Sequence, residues 1–328
     1  MGKPKVFVTR IIPEHGLNML RDFCEVDVWP DELPCPREVI LQRAKGAEGI
    51  LSLLTDTIDG DVMEVSGPNL RVISNYAVGF DNIDVFEATK RGIPVGNTPG
   101  VLSDTTADLA FSLLMAAARR LAEGDRFTRA GKWKTWGPTL LLGQDVYGAT
   151  LGIIGFGRIG KRMARRARGF EMTVLFYDPL CDENDPEAAQ FHARSVDLDT
   201  LLQESDFVTI HAPLTDQTHH LINAYALSKM KPTAILINTS RGPVVDHDAL
   251  YTALSRHTIA CAALDVTEPE PIPADSPLLA LDNVIITPHI GSASVVTRGR
   301  MAQMAAENLM AGLKGERLPN CVNPQVYE

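Results

Sequence analysis

The chain is poor in the residues that staple or anchor a protein. Only five of its 328 residues are cysteine. Cys24, Cys35, Cys181, Cys261 and Cys321 are odd in number, scattered and without a C-x-x-C pair, which argues against a disulfide framework or a cysteine-built zinc site and suits a reducing compartment. No metal site is expected, and the expected location is cytoplasmic. Positive charge is also short: a formal net charge of -10 gives the long-range field the wrong sign for nucleic acid or anionic lipid, so neither a nucleic acid nor a membrane is expected as a partner. Long apolar runs are missing too. The strongest, Leu109 to Ala118, is interrupted by Arg119 and Arg120 and is too short to span a bilayer. The start, Met1-Gly2-Lys3-Pro4-Lys5-Val6, has neither a signal-peptide core nor a myristoylation signal. What remains, 45% hydrophobic and 22% charged residues, is globular composition at a length that suggests about two domains.

Short β-branched-rich runs alternate with longer amphipathic stretches. The strand candidates are Lys5 to Thr9, Gly49 to Leu54, Leu70 to Asn75, Leu151 to Gly155, Thr173 to Tyr177, Phe207 to His211, Ala234 to Asn238, Ala262 to Val266 and Val284 to Thr287. This alternation predicts an α/β fold with parallel sheets covered on both faces. Three candidates precede a long helical stretch, Asp104 to Glu123, which Ser103 or Asp104 can cap. Six follow it. A further helical pattern, Ser294 to Leu313, fits either an outer helix of the second domain or a return of the chain to the first.

Gly155-Phe156-Gly157-Arg158-Ile159-Gly160 follows the apolar strand Leu151-Gly152-Ile153-Ile154 and opens a helical stretch. A bare G-x-G-x-x-G is a weak signal, but this context is the one a pyrophosphate needs. The first glycine allows a tight turn, the second a close approach of backbone to phosphate, and the third close helix–strand packing. Helix-start amides then face the anion. Asp178 ends the next strand about 20 residues on, where a carboxylate accepts hydrogen bonds from the ribose hydroxyls. A 2'-phosphate would meet Asp178, with Asp182, Glu183 and Asp185 close in sequence and no Arg or Lys immediately after the strand. NAD(H) is therefore expected, and NADP(H) is disfavoured.

Ligands of doubly wound sheets gather beyond the carboxyl ends of the strands, which filters the eight histidines. His15, His192, His219, His220, His247 and His257 fall in helices or loops and read as surface or capping residues. His211, at a strand end before Ala212-Pro213, suits a wall of the cofactor pocket, and His289 ends a strand and opens into Ile290-Gly291-Ser292. The same filter selects Arg241, Asp265 and Glu270. A carbonyl beside a carboxylate needs a guanidinium to grip the carboxylate bidentately. It also needs an acid to protonate the carbonyl oxygen, and a carboxylate next to a histidine tunes such an acid.

Together these stretches resemble the D-isomer-specific 2-hydroxyacid dehydrogenases. The likeness rests on Gly155 to Gly160, His211-Ala212-Pro213-Leu214-Thr215, Asn238-Thr239-Ser240-Arg241-Gly242, Leu264-Asp265-Val266, Thr287-Pro288-His289-Ile290-Gly291-Ser292 and Asn75 to Asp84. Within that family the chain is most similar to the glyoxylate/hydroxypyruvate reductases, through Lys5 to Arg10, Tyr76 to Asp84 and Leu264 to Pro271. The resemblance implies a flavodoxin-like substrate domain (1–102 and the return 291–328) split by an inserted NAD-binding Rossmann domain (103–290). It favours the return of the last helix to the first domain. It implies that Arg241 binds the substrate carboxylate, that His289 is the general acid/base and that Glu270 pairs with it. Val78 and Gly79 would touch the substrate. Asp265 would hold the nicotinamide carboxamide, and Thr106, Pro213, Thr218, Thr239 and Gly291 would complete the cofactor contacts.

The implied reaction is NADH-dependent reduction of glyoxylate or hydroxypyruvate, a small 2-oxo acid, by a homodimer joined through the cofactor domain. Trp133 and Trp136 are candidates for that contact, for lining the cleft, or for plain packing. One departure stands out: relatives in this branch often prefer NADP(H) and carry Arg or small polar residues where this chain has Tyr177-Asp178-Pro179. Two rivals remain. A 3-phosphoglycerate dehydrogenase is disfavoured because Leu51-Ser52-Leu53-Leu54-Thr55 offers no cation for a phosphate and no regulatory domain is expected after Leu313. A nicotinamide-sensing corepressor would retain similar catalytic residues, but it is disfavoured because the tail after Pro319 is bare and no disordered extensions are expected.

Overall fold

The structure, a computed structural model, describes residues 2–181 and 185–328, so Asp182 and Glu183, which entered the reading of cofactor preference, lie outside the described residues. The chain forms two compact units, Met1–Leu102 with Ser292–Glu328, and Ser103–Gly291.

The first unit is built on β1 (Lys5–Val8), α1 (Glu14–Phe23), β2 (Glu25–Val28), α2 (Arg37–Arg43), β3 (Gly49–Ser52), α3 (Gly60–Ser66), β4 (Val72–Asn75), α4 (Val85–Lys90) and β5 (Val95–Gly96). Its five parallel strands run in the order β2-β1-β3-β4-β5, the flavodoxin-like doubly wound order. Alternation along the strands divides the apolar side chains between two faces. Phe7, Ile50, Ile73 and Val95 pack with Ile40, Val62, Met63 and Ala88 of α2, α3 and α4. The opposite face receives α1 and the last helix of the chain, Val295–Lys314, which Ser294 caps through the Thr297 N–H. Ser74 Oγ donates to the Ala305 carbonyl of that helix at 2.8 Å. The helix lies so close to the sheet that a Cβ on Gly312 would sit 2.5 Å from Val72 Cβ.

The second unit comprises α5 (Ser103–Ala118), α6 (Leu121–Arg129), β6 (Thr150–Ile154), α7 (Arg158–Ala167), β7 (Thr173–Tyr177), α8 (Pro186–Phe191), β8 (Ala193–Ser195), α9 (Leu198–Glu204), β9 (Phe207–Ile210), α10 (Ala224–Lys229), β10 (Ile235–Asn238), α11 (His247–Ser255), β11 (Cys261–Leu264) and β12 (Val284–Ile286); the last helix is α12. Its seven parallel strands run β12-β11-β10-β9-β6-β7-β8. Counted from β6, this is the 3-2-1-4-5-6 order of a Rossmann sheet with one strand added at the edge. Neighbouring residues serve opposite cores. Ile153, Ile235, Ile237 and Ala263 face α5 and α7, while Ile154, Leu236, Ala262 and Leu264 face α9, α10 and α11.

Two expectations are corrected. The helix expected over Asp104 to Glu123 is two helices, because the chain turns at Arg120, whose φ of 51° is left-handed. Three strands, β2, β5 and β8, escaped the pattern. All lie at sheet edges; β2 (Glu-Val-Asp-Val) is half-exposed and β5 has two residues. β2 and β8 meet solvent and carry no continuous apolar run, and β5 is too short to show one, whereas the edge strand β12, Val-Ile-Ile, keeps such a run.

Candidate active site

The second unit assembles its site where the strands end. After β6, Gly155 takes φ +89° against the end of β9, and a Cβ there would lie 2.6 Å from the Ala212 nitrogen. At Gly160 a Cβ would lie 2.2 Å from the Gly155 carbonyl oxygen, whereas nothing lies within 4 Å of one at Gly157. So two glycines are required by packing and the third leaves open space before the helix. Gly157 is the N-cap of α7 and no side chain caps it; Arg158 beside it is exposed and Ile159 half-buried. The first-turn amides of α7 therefore point into room that an anion can enter.

Asp178, at the end of β7, fastens this loop. Its Oδ2 accepts the Phe156 N–H at 2.8 Å and its Oδ1 accepts the Leu180 N–H at 2.9 Å. A carboxylate has about four acceptor sites, so this leaves capacity for a ribose hydroxyl. Lys161, the cation within the motif's helix, is engaged with Asp185 at 2.5 Å and Glu187 at 3.1 Å, and its hydrogen bond holds the Asp185 carboxyl below the ordinary carboxylate range. Under the loop, the Nε2 of His211 meets Thr209 Oγ1 at 2.9 Å while Nδ1 is buried without a partner. Burial pushes this imidazole down to about 3, which keeps it neutral. The Thr239 hydroxyl, beyond β10, is also buried and unpartnered. Open space at Gly157, uncapped amides and two orphaned polar atoms fit a dinucleotide.

The ends of β10, β11 and β12 bring the other candidates together. Asn238 accepts the Ser240 N–H at 3.0 Å and donates to the Arg241 carbonyl at 2.9 Å, closing the turn that presents Arg241. The next residue, Gly242, touches the following loop so closely that a Cβ would lie 1.9 Å from the Thr267 carbonyl oxygen. That loop carries Glu270, whose Oε1 is 2.6 Å from His289 Nδ1. Burial works to raise the Glu270 pKa, but the hydrogen bond and charge of His289, the Thr267 N–H and the charge of Arg241 outweigh it and hold the carboxyl below its usual range. His289 has a left-handed φ of 54°, and Asp265 holds its turn. Asp265, only 1% exposed, accepts from Thr287 Oγ1 at 2.5 Å, the Ile290 N–H at 2.9 Å and the Gly291 N–H at 2.7 Å. Its backbone carbonyl takes the His289 N–H at 2.9 Å.

The profile of the D-isomer specific 2-hydroxyacid dehydrogenase NAD-binding domain matches residues 111–291. A glyoxylate reductase of Korarchaeum cryptofilum is 57% identical over 99% of this chain and 98% of its own. The chain belongs to the D-isomer specific 2-hydroxyacid dehydrogenase family. Among solved structures, a Thermus thermophilus protein superposes with a TM-score of 0.91 at 46% identity, covering 97% of this chain and 99% of that one. An NADPH-dependent glyoxylate/hydroxypyruvate reductase of Sinorhizobium meliloti gives 0.85 at 31% identity over 98% and 97% of the two chains. Both an α/β fold of two parallel sheets and oxidoreductase chemistry on CH–OH groups follow from this membership.

Within the dehydrogenase, the remaining candidates fall as follows. Thr106 of α5 lies against Gly291, its Oγ1 3.5 Å from a Cβ built there, with Asp265 Oδ2 at 3.3 Å. The Thr218 hydroxyl donates to the Pro213 carbonyl at 2.6 Å and accepts the Thr215 N–H at 2.8 Å, so it closes the turn after His211. In the first unit, Asn97 donates to the Val78 carbonyl at 2.8 Å and Asn75 to the Gly79 carbonyl at 2.9 Å. The N–H groups of Val78 and Gly79 make no hydrogen bond among the described residues. Sequence reasoning missed Asn238, Thr287 and Thr267, which hold the turns of Arg241, His289 and Glu270. Their only signal was a hydrogen-bonding side chain at or just after a strand end.

Proposed function

We propose that this dehydrogenase reduces glyoxylate and hydroxypyruvate to glycolate and D-glycerate with NADH. The observation that carries the chemistry is the 2.6 Å pair of His289 and Glu270 on a loop packed against the Arg241 turn. Because Nδ1 is held by Glu270, Nε2 is the nitrogen of His289 that gives its proton to the substrate carbonyl oxygen. The adjacent carboxylate fixes the orientation of the ring for that transfer. Arg241 grips the substrate carboxylate; for Val78 and Gly79, whose amides are unpaired among the described residues, the proposed role is contact with the substrate. Asp265 keeps His289 in place by holding its turn, and its remaining acceptor capacity serves the nicotinamide carboxamide. A bound nicotinamide dinucleotide supplies the hydride. The α7 amides with Arg158 and Ile159 take its pyrophosphate, Asp178 its ribose, and Thr106, His211, Pro213, Thr218, Thr239 and Gly291 the rest of its surface.

NADH is favoured over NADPH because Asp178 is an anion where a 2'-phosphate would sit and the nearby Lys161 is already paired with Asp185 and Glu187. NADH oxidation across a panel of 2-oxo acids, with kcat/KM for NADH and NADPH side by side, tests the proposal. Turnover of glyoxylate or hydroxypyruvate with kcat/KM at least about tenfold higher for NADH, the weight of a single charged contact, is expected. Preference for NADPH would sink the cofactor assignment, and turnover of no 2-oxo acid would sink the reaction.

The segment from Leu121 to Tyr147 leaves Leu121, Trp133, Trp136, Leu142 and Tyr147 exposed. So much apolar surface in one stretch of the cofactor unit supports a homodimer formed through it. Among the described residues no helix is long and apolar enough to cross a membrane, and five cysteines that form no disulfide among those residues suit the cytosol.

A further inference from the structure

Histidines that fall in loops of the sequence do not all lie apart in the fold. His219, His220 and Glu268 bring one ligand atom each to within 4.8 Å of one another. The His220 Nε2 is 2.9 Å from Glu268 Oε2, and the rings of His219 and His220 stack with centroids 4.0 Å apart. Two imidazoles and a carboxylate are a donor set for borderline divalent metals.

The surroundings position two of the three. His220 holds a left-handed φ of 50°, uncommon for a residue with a side chain, and its N–H is tied to the Pro243 carbonyl at 2.8 Å. The Glu268 N–H donates to His247 Nδ1 at 3.2 Å, so a further imidazole fixes the backbone of the carboxylate ligand, much as outer-shell groups orient metal ligands. His219 is exposed, and its ring makes no hydrogen bond among the described residues. It can therefore swing inward to the spacing of about 3.3 Å that tetrahedral ligands with bonds near 2 Å require.

We propose that His219, His220 and Glu268 bind a divalent transition cation of the zinc class, with water in the fourth position. The cation would tie the loop after β9 to the loop after β11. These are the loops that carry Thr218 and Glu270, so occupancy reinforces the frame of the active site without entering it.

Equilibrium dialysis of the full chain against ZnCl2 and titration with CoCl2, followed by visible absorption, test this. The expected result is one saturable equivalent of zinc and a cobalt spectrum free of thiolate charge transfer. Melting temperature should rise by roughly 5 °C when zinc exceeds its Kd a hundredfold. His219→Ala and Glu268→Gln should each weaken binding at least about tenfold while melting like the wild type without metal; His15→Ala, in the other unit, should bind as the wild type does. No uptake by the wild type, equal uptake by the two site variants, or a cobalt–thiolate band would each overturn the proposal.

Discussion

The chemistry of the site is concentrated in one ion-paired imidazole. Glu270 is held below the ordinary glutamate value of 4.5. A depressed carboxyl pKa means that its charge, and the stability it adds to the native state, is fully present above 4.5 and lost as pH falls through the lower folded value. Across the neutral range the carboxylate is therefore always charged and keeps its hydrogen bond to His289 Nδ1. Glu270→Gln keeps the shape and removes the charge, so the loss of kcat as pH falls through the depressed Glu270 value should disappear from its pH profile. His289→Ala should lower kcat by about 10²–10⁴-fold with little change in KM, and Arg241→Lys should raise KM, because a point charge cannot reproduce the bidentate fork. A kcat pH profile for Glu270→Gln that overlays the wild type would remove Glu270 from its positioning role.

At the scale of elements, close approach is what the small residues are for. The last helix reaches the first-unit sheet through Gly312 against Val72, and packs on α1 through Ala302 against Gly16. Gly312→Ala would place a methyl group 2.5 Å from a branched side chain and should destabilise the chain by about 1–3 kcal/mol. Urea unfolding followed by circular dichroism would read this as a lower midpoint with an unchanged slope, and an unchanged midpoint would show that the helix can shift at no cost. The strands that escaped sequence reading are edge elements. Interior strands announce themselves because both faces are buried and their sequences, such as Thr-Leu-Gly-Ile-Ile of β6 and Ile-Leu-Ile-Asn of β10, are nearly continuous apolar runs. Glu-Val-Asp-Val of β2 meets solvent, and its pattern is correspondingly broken. The split of the helix at Arg120 was equally hidden, since two adjacent arginines do not forbid a helix and only the local turn ends it.

At the scale of the molecule, the exposed apolar residues between Leu121 and Tyr147 set the expected assembly. Trp133 and Trp136 are 60% and 78% exposed, a large apolar surface to leave in water. Light scattering on a sizing column should give a dimer for the wild type and a monomer, at the same protein concentration, for the double variant Trp133→Asp/Trp136→Asp. A monomeric wild type would rule out that interface.

By itself the sequence determined the α/β class and the dinucleotide loop, and it singled out Arg241, Glu270 and His289 as the candidates for the chemistry. Each is written locally: buried parallel strands need apolar runs, a pyrophosphate loop needs glycines at fixed spacing, and strand ends mark where ligands gather. Only the tertiary structure decided which side chains meet across loops distant in the chain. The buried carboxylate of Asp265 spends its hydrogen bonds on the turn that carries His289, and Asn238 shapes the turn of Arg241. His220 meets Glu268 across 48 residues. Such pairings depend on strand order and on the path of each loop, and no spacing in the sequence encodes them because hydrogen bonds form between neighbours in space.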